Sequence, residues 1–201
     1  KMDFLGLRTL TVIHDAETAV QKHHPEFSIQ KLDYDDPDTY RMLGQGDTEG
    51  VFQLESSGMK QVLVGLQPQN LEDVIALISL YRPGPMDSIP TYLRNRHEPD
   101  KISYKTPQLA HILDVTNGCI VYQEQVMQIF RELAGFSFGQ ADNVRRAMSK
   151  KKLKVMEAER EHFVHGCKEP GKECAGCVAN GVPENIANEI YDDMISFASY
   201  A

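Results

Sequence analysis

Residues 140–154 read QADNVRRAMSKKKLK, and the spacing of their apolar residues predicts an α-helix. At about 100° per residue, Val144, Ala147 and Met148 share one stripe of such a helix. Arg146 and Lys150 then lie one turn apart on a neighbouring face. We therefore predict a helix that packs through one side and presents cations on another.

The same stretch concentrates positive charge in a chain whose net charge is -8. Six cations fall within ten residues that contain no acid: Arg145, Arg146, Lys150, Lys151, Lys152 and Lys154. An arginine is permanently charged and presents planar, forked donors that match phosphate. The adjacent Arg145 and Arg146 are therefore candidates for binding a polyanion with several oxygens at fixed spacing. A solvated basic face is the alternative, because a run of charge often has no other role.

Outward from this stretch, helical patterns account for most of the chain. Ser137 and Gln140 form a capping-box pattern at the start of the cationic helix, and Gly135 ends the helix before it. Helical spacing also recurs over residues 10–20, 37–43, 59–66, 70–81, 107–113, 125–134, 153–163 and 183–197. We predict a mainly α fold, in which a multi-helix domain contains a few short strands.

The remaining segments are predicted as strand, turn or loop. Alternation predicts a short strand over residues 1–7, which would place Lys1 and Asp3 on one face. Residues 51–54 are expected to form a brief strand, and residues 86–103 a loop with one irregular helix. The run Arg82-Pro83-Gly84-Pro85 has to break the helix before it, because proline cannot donate a backbone hydrogen bond.

Composition places the chain among ordinary globular proteins. A length of 201 residues fits one large domain or two small ones, and 41% hydrophobic with 25% charged residues argues against a disordered, collagen-like or coiled-coil protein. There is neither a long apolar run nor a charged and apolar leader, so we expect no membrane partner and a cytoplasmic setting. A sequence pI near 5.4 indicates that any phosphate contact comes from focused patches rather than from the overall field.

The two ends of the sequence suggest a piece of a longer chain. Lys1 stands where an initiator methionine would be expected. The last run, residues 186–201, stops inside an apolar pattern without a closing Gly, Asn or Pro.

A cysteine-rich loop is the second chemical candidate. Cys167, Cys174 and Cys177 lie near His162 and His165, and these are the residue types that bind zinc. A structural zinc site usually takes its second pair of ligands from a distant segment, whereas these residues lie in one stretch. A loop of reduced thiols is therefore the main alternative, and a disulfide is a further one.

Six blocks of sequence, in this order, resemble a known family: KMDFLGLRTLTVI, GVFQLESSGMK, LYRPGPM, IVYQEQVMQI, NVRRAMSKKK and ISFASYA. Together they are similar to the alpha subunits of bacterial DNA polymerase III, the DnaE type of the C family of polymerases. The resemblance covers nearly the whole chain. Residues 166–178, which contain the extra cysteines, depart from the family pattern.

The resemblance implies a fragment that joins two polymerase domains. Residues 1–8 would be the terminal strand of the palm, and residues 9–201 would be the fingers, truncated at the C-terminal end. In the family, the first block supplies one metal-binding aspartate, here Asp3, and a lysine on the nucleotide phosphates, here Lys1. The RRAM block supplies two arginines on the incoming triphosphate, here Arg145 and Arg146. The blocks also contain Gln53, Arg82 and Tyr200, for which the resemblance suggests no specific role.

The implied activity is DNA-directed DNA polymerisation, a nucleotidyl transfer that uses two Mg²⁺ ions. The other two metal-binding aspartates of the family belong to a motif that is absent here, so the fragment alone is expected to hold no Mg²⁺ and to be inactive. The implied partners are primer–template DNA, the incoming dNTP, the rest of the polymerase chain and replisome subunits.

Two other functional classes remain open at this point. The first is a helical module that binds the backbone of nucleic acid through the basic segment and performs no catalysis. The second is an interaction domain stabilised by zinc in the cysteine loop.

Overall fold

The chain is described here from a computed structural model, in which residues 6–150 and 152–198 are described. This part of the chain contains ten α-helices: α1 (Arg8–Gln21), α2 (Pro37–Gly44), α3 (Ser57–Leu66), α4 (Leu71–Leu80), α5 (Ile89–His97), α6 (Ala110–Leu113), α7 (Gln123–Ala134), α8 (Phe138–Ser149), α9 (Leu153–His165) and α10 (Glu184–Ala198). The prediction of a mainly α fold is confirmed. The chain divides into two compact units, Lys1–Pro37 and Asp38–Ala201.

The first unit contains α1 and a short 3₁₀ turn, Ile29–Lys31. The helical spacing of Leu10 and Val20 correctly predicted α1, but no residue of this helix is buried. The segment that follows is tied back by the side chain of Glu17, which accepts a hydrogen bond from the backbone N–H of Ile29 at 3.0 Å. The predicted strand of residues 1–7 lies almost entirely outside the described residues.

The second unit contains two hydrophobic clusters, and the smaller one joins α2, α3, α4 and α5. Buried residues of this cluster include Leu63, Leu77 and Leu80. Two of the helices begin at side-chain caps, because Ser56 caps α3 by accepting from Met59 N and Asn70 caps α4 by accepting from the backbone N–H of Asp73. Helix α4 ends at Leu80, before the predicted Arg82-Pro83-Gly84-Pro85 break.

The larger cluster joins α6 to α10. Four of its rings pack against one another, with centroids 4.9 Å apart for Phe130 and Phe163 and 5.6 Å apart for Phe163 and Tyr191. Tyr191 is almost fully buried, and its hydroxyl donates to the carbonyl of Met156 at 2.6 Å. Since α7, α8, α9 and α10 all contribute to this cluster, the orientation of α8 is fixed by packing on several sides.

Two sequence predictions need correction. Residues 51–54 form turns rather than a strand, because Val51 N donates to Thr48 O and Leu54 N donates to Val51 O. The hydroxyl of Thr48 also donates to the Leu54 carbonyl. Gln53 adopts a positive φ of 64° within this turn. Residues 86–103, expected to be a loop with one irregular helix, contain the regular helix α5 between two 3₁₀ turns. In the described residues, the one isolated β-bridge joins Cys167 and Cys174.

Candidate functional site on helix α8

Helix α8 is held at its start and along one face. The hydroxyl of Ser137 accepts from Gln140 N at 3.3 Å, and the side chain of Gln140 accepts from Ser137 N at 2.7 Å. These two bonds confirm the predicted capping box. The predicted apolar stripe of Val144, Ala147 and Met148 is also confirmed, since all three residues are buried. The face that carries the arginines is therefore presented in a defined direction.

The two arginines of this face have different surroundings. The side chain of Arg145 is 28% exposed, and that of Arg146 is 64% exposed. Arg145 donates from Nε and Nη2 to Oδ1 of Asp142, at 3.1 and 2.8 Å, and from Nη1 to Oε1 of Gln123 at 2.9 Å. Arg146 places Nη2 2.7 Å from Oδ2 of Asp142. Arg145 is thus held by two helices, whereas most of the side chain of Arg146 is exposed to solvent.

Asp142 joins the two guanidiniums and was not identified from the sequence. Its hydrogen bonds from Arg145, and after them those from Arg146, hold the pKa of its carboxyl below the ordinary value, against the opposing effect of partial dehydration. The sequence does contain a pattern that predicts these ion pairs, because Asp142 precedes Arg145 by three residues and Arg146 by four, which are the spacings of helical ion pairs. One carboxylate between two guanidiniums leaves one net positive charge in the cluster.

A groove of about 500 Å³ opens beside Arg145, between α7 and α8. Its lining includes Gln123, Gln128, Arg131, Phe138 and Asp142. A second groove of about 420 Å³ shares the wall residues Gln123 and Glu124 and extends to Arg82. Arg82 is exposed and lies two residues beyond the end of α4, and its groove shares Gln123 and Glu124 with the groove beside Arg145, although 63 residues separate the two arginines in sequence.

The lysines after the arginines do not continue the same helix. Helix α8 ends at Ser149, and Lys150 is its C-terminal cap, with its backbone N–H bonded to the carbonyl of Arg146 at 3.2 Å. Lys150 is exposed one turn beyond Arg146, as the helical spacing predicted. A cation at this end of a helix is favourable because the unpaired carbonyl groups carry partial negative charge. Lys152 and Lys154 are exposed as well, and Lys151 lies outside the described residues.

The other predicted site residues, Lys1 and Asp3, lie outside the described residues. Among the described side chains, no group of three or more His, Cys, Asp or Glu residues could hold a metal ion.

The cysteine loop takes part in the packing of the larger cluster. Cys177 is fully buried, and this burial raises the pKa of its thiol to about 12. Backbone bonds tie the loop to two helices, from Gly176 N to Ala134 O at 2.9 Å and from Cys177 N to Phe163 O at 2.8 Å. The four cysteines of the chain are free thiols. Since no group of three or more His, Cys, Asp or Glu side chains in the described residues could hold a metal ion, the zinc alternative receives no support. The loop joins the C-terminal ends of α7 and α9.

No helix in the described part of the chain has both the length and the apolar character needed to cross a membrane.

Comparison with known proteins identifies the family. Residues 9–171 match the bacterial DNA polymerase III alpha subunit finger domain. The chain is 48% identical over 201 residues to DNA polymerase III subunit alpha of Staphylococcus aureus (strain COL) and 47% identical to that of Staphylococcus epidermidis (strain ATCC 12228 / FDA PCI 1200). Each alignment covers 100% of this chain and 18% of the length of the relative. The chain belongs to the bacterial DNA polymerase III alpha subunit family, and most of it is the finger domain.

Proposed function

We propose that this chain is the part of a DNA-directed DNA polymerase that binds the triphosphate of the incoming dNTP through Arg145 and Arg146. The observation that carries the proposal is the pair of guanidiniums fixed on one face of α8 by a shared carboxylate, with Arg146 64% exposed. Guanidinium donors match phosphate oxygens in geometry and in charge. The single net positive charge left beside Asp142 favours an anion.

The reaction gives these arginines a role beyond binding. Negative charge develops on the leaving pyrophosphate in nucleotidyl transfer, and cations that are already in place stabilise it without further reorganisation. The capping box and the buried face of α8 supply that preorganisation for Arg146. Lys150, exposed one turn further, adds a third cation on the same side.

The rest of the site belongs to residues outside the described part of the chain. We propose that residues 1–8 are the terminal strand of the palm and residues 9–201 the fingers. In that arrangement Asp3 would be one of three aspartates that hold two Mg²⁺ ions, and Lys1 would contact the triphosphate. The ions would activate the primer hydroxyl and neutralise the triphosphate. Primer–template DNA, the rest of the polymerase chain and replisome subunits are the proposed partners, in the cytoplasm.

The test of the arginine site is Arg146→Ala in the complete alpha subunit that carries this chain. We expect single-turnover incorporation to lose about 2 kcal/mol of transition-state stabilisation, or roughly 30-fold in kcat/KM, with little change in the unfolding midpoint. Arg41→Ala is a matched control, because Arg41 is 67% exposed and pairs with Asp38 within one helix, as Arg146 pairs with Asp142. Equal incorporation by the Arg146 variant and the control would reject the proposal.

The isolated 201-residue chain is expected to be inactive, since only Asp3 of the three metal-binding aspartates is proposed to lie in it. Primer extension by the purified chain above a mock preparation would contradict this expectation.

A second function is favoured by the exposed lysines Lys150, Lys152 and Lys154. These side chains could bind the backbone of DNA or RNA without any catalysis. Binding of DNA that weakens steeply with salt and does not respond to dNTP would support this function. Binding of dNTP that is lost on Arg145→Ala would support the polymerase function instead.

A further inference from the structure

Arg145 is connected to a different helix through one neutral side chain. Its Nη1 donates to Oε1 of Gln123 at 2.9 Å, and Gln123 is the first residue of α7, 22 residues earlier in the chain. The contact with Asp142 comes from within α8, so it fixes the guanidinium only relative to its own helix. The contact with Gln123 therefore ties the position of the charge to the packing of α7 against α8.

The backbone that carries Gln123 is itself anchored in the protein interior. Gln125, which is 3% exposed, accepts from the backbone N–H groups of Val121 and Tyr122, both at 2.9 Å. Its amide nitrogen donates to the carbonyl of Ile112 at 3.0 Å and to the hydroxyl of Thr116 at 2.8 Å. A buried network with all of these bonds made is rigid, because breaking any of them leaves a polar group without a partner. Gln123 thus projects from a fixed point.

The charge of the residue at position 123 matters as much as its place. Arg145 can only donate, so the amide of Gln123 presents its oxygen and adds no charge. Asp142 already neutralises one of the two guanidiniums. A glutamate at position 123 would make a similar bond, but it would remove the remaining net positive charge from the cluster. Glu124 next to it is exposed and lines the same groove, so a further acid would add to a negative charge already near the site.

From these observations we infer that Gln123 is a positioning residue for nucleotide binding: its amide holds the guanidinium of Arg145 toward the triphosphate without neutralising it. The inference rests on the proposed function of Arg145 and Arg146.

The experiment compares Gln123→Ala and Gln123→Glu in the complete alpha subunit, by single-turnover incorporation over a range of dNTP concentrations and by thermal unfolding. Gln123→Ala loses one hydrogen bond to a charged group, and we expect about a tenfold rise in the apparent Kd for dNTP. Gln123→Glu keeps the size of the side chain and a bond to Arg145, so we expect an unchanged unfolding midpoint and a rise in Kd of tenfold or more. Gln61→Ala, at an exposed position of α3, is the control for loss of a glutamine side chain and should bind dNTP as the parent does.

Each outcome decides the inference. If Gln123 had a purely structural role, the Gln123→Glu variant would bind dNTP normally, and that result would overturn the inference. Normal dNTP binding by a folded Gln123→Ala variant would overturn it as well. If Gln123→Ala does not fold, the glutamate variant alone decides. If Arg146→Ala impairs nucleotide incorporation but both Gln123 variants bind dNTP normally, only this inference is rejected. If Arg146→Ala incorporates nucleotide normally, the proposed function is rejected.

Discussion

Two arginine–aspartate clusters of the structure differ in burial and in sequence separation. One pairs Asp73 with Arg96, and the other, on α8, pairs Asp142 with Arg145 and Arg146. Arg96 of α5 reaches Asp73 of α4 across 23 residues and makes two parallel bonds of 3.0 Å, from Nε to Oδ1 and from Nη2 to Oδ2. Arg145 instead places both Nε and Nη2 on one oxygen of Asp142, three residues away in the same helix. The second oxygen of Asp142 is left for Arg146.

Burial gives the two clusters different consequences. The side chain of Asp73 is 7% exposed, and it also accepts from Gln69 N at 2.9 Å, so its oxygens are occupied within the protein. The hydrogen bonds that Arg96 donates to Asp73 raise the pKa of Arg96. In the α8 cluster one carboxylate pairs with two guanidiniums, and the side chain of Arg146 stays 64% exposed. A buried pair with all its bonds made joins helices, whereas an exposed pair that shares an acid can bind a ligand.

The largest effect expected from this comparison is on stability. Asp73→Ala should lower the free energy of unfolding of the chain by about 3 kcal/mol, because it leaves Arg96, 24% exposed, without its main partner. Urea denaturation measures this change.

Asp38→Ala is the matched control, because Asp38 also pairs with an arginine but is 72% exposed. We expect it to cost less than about 1 kcal/mol, as exposed pairs usually do. Similar losses for the two variants would mean that burial does not separate these pairs.

An intermediate effect is expected on the salt dependence of nucleotide binding. Asp142→Asn removes the negative charge between Arg145 and Arg146, so the complete alpha subunit should bind dNTP with a steeper dependence of Kd on salt concentration. The unfolding midpoint should change little, in contrast to Asp73→Ala. Titrations at several salt concentrations test this, and an unchanged slope would show that Asp142 does not neutralise the site.

The smallest expected effect is on pH dependence. The hydrogen bonds of Arg145 and then Arg146 lower the pKa of Asp142 from its ordinary 3.8. The ion pairs therefore contribute stability above that value and lose their contribution as the pH falls through the lowered pKa. Carbon NMR of the Asp142 carboxyl should give a midpoint below 3.8, and Arg145→Ala should move it upward. A midpoint at or above 3.8 in the parent chain would contradict the shared-carboxylate geometry.

Local patterns predicted the helices well because their causes are local. The capping box of Ser137 and Gln140 and the buried stripe of Val144, Ala147 and Met148 were both read from residues one turn apart. The failures have different causes. Residues 51–54 have a strand-like composition, but the buried hydroxyl of Thr48 and two short-range backbone bonds hold them in turns. Helix α1 has correct helical spacing, yet periodicity could not decide whether its apolar residues are buried.

The sequence by itself determined that α8 is a helix with one buried face and that Arg145 and Arg146 both lie outside that face, since 3.6 residues per turn sets both. Only the tertiary structure decided how those arginines differ. Packing of α7 against α8 brings Gln123 to Arg145 and leaves Arg146 exposed. The structure also decides that both arginine side chains reach Asp142, a contact that the helical spacing permits but does not require. The physical reason is that a hydrogen bond across 22 residues depends on how helices pack, which no local pattern encodes.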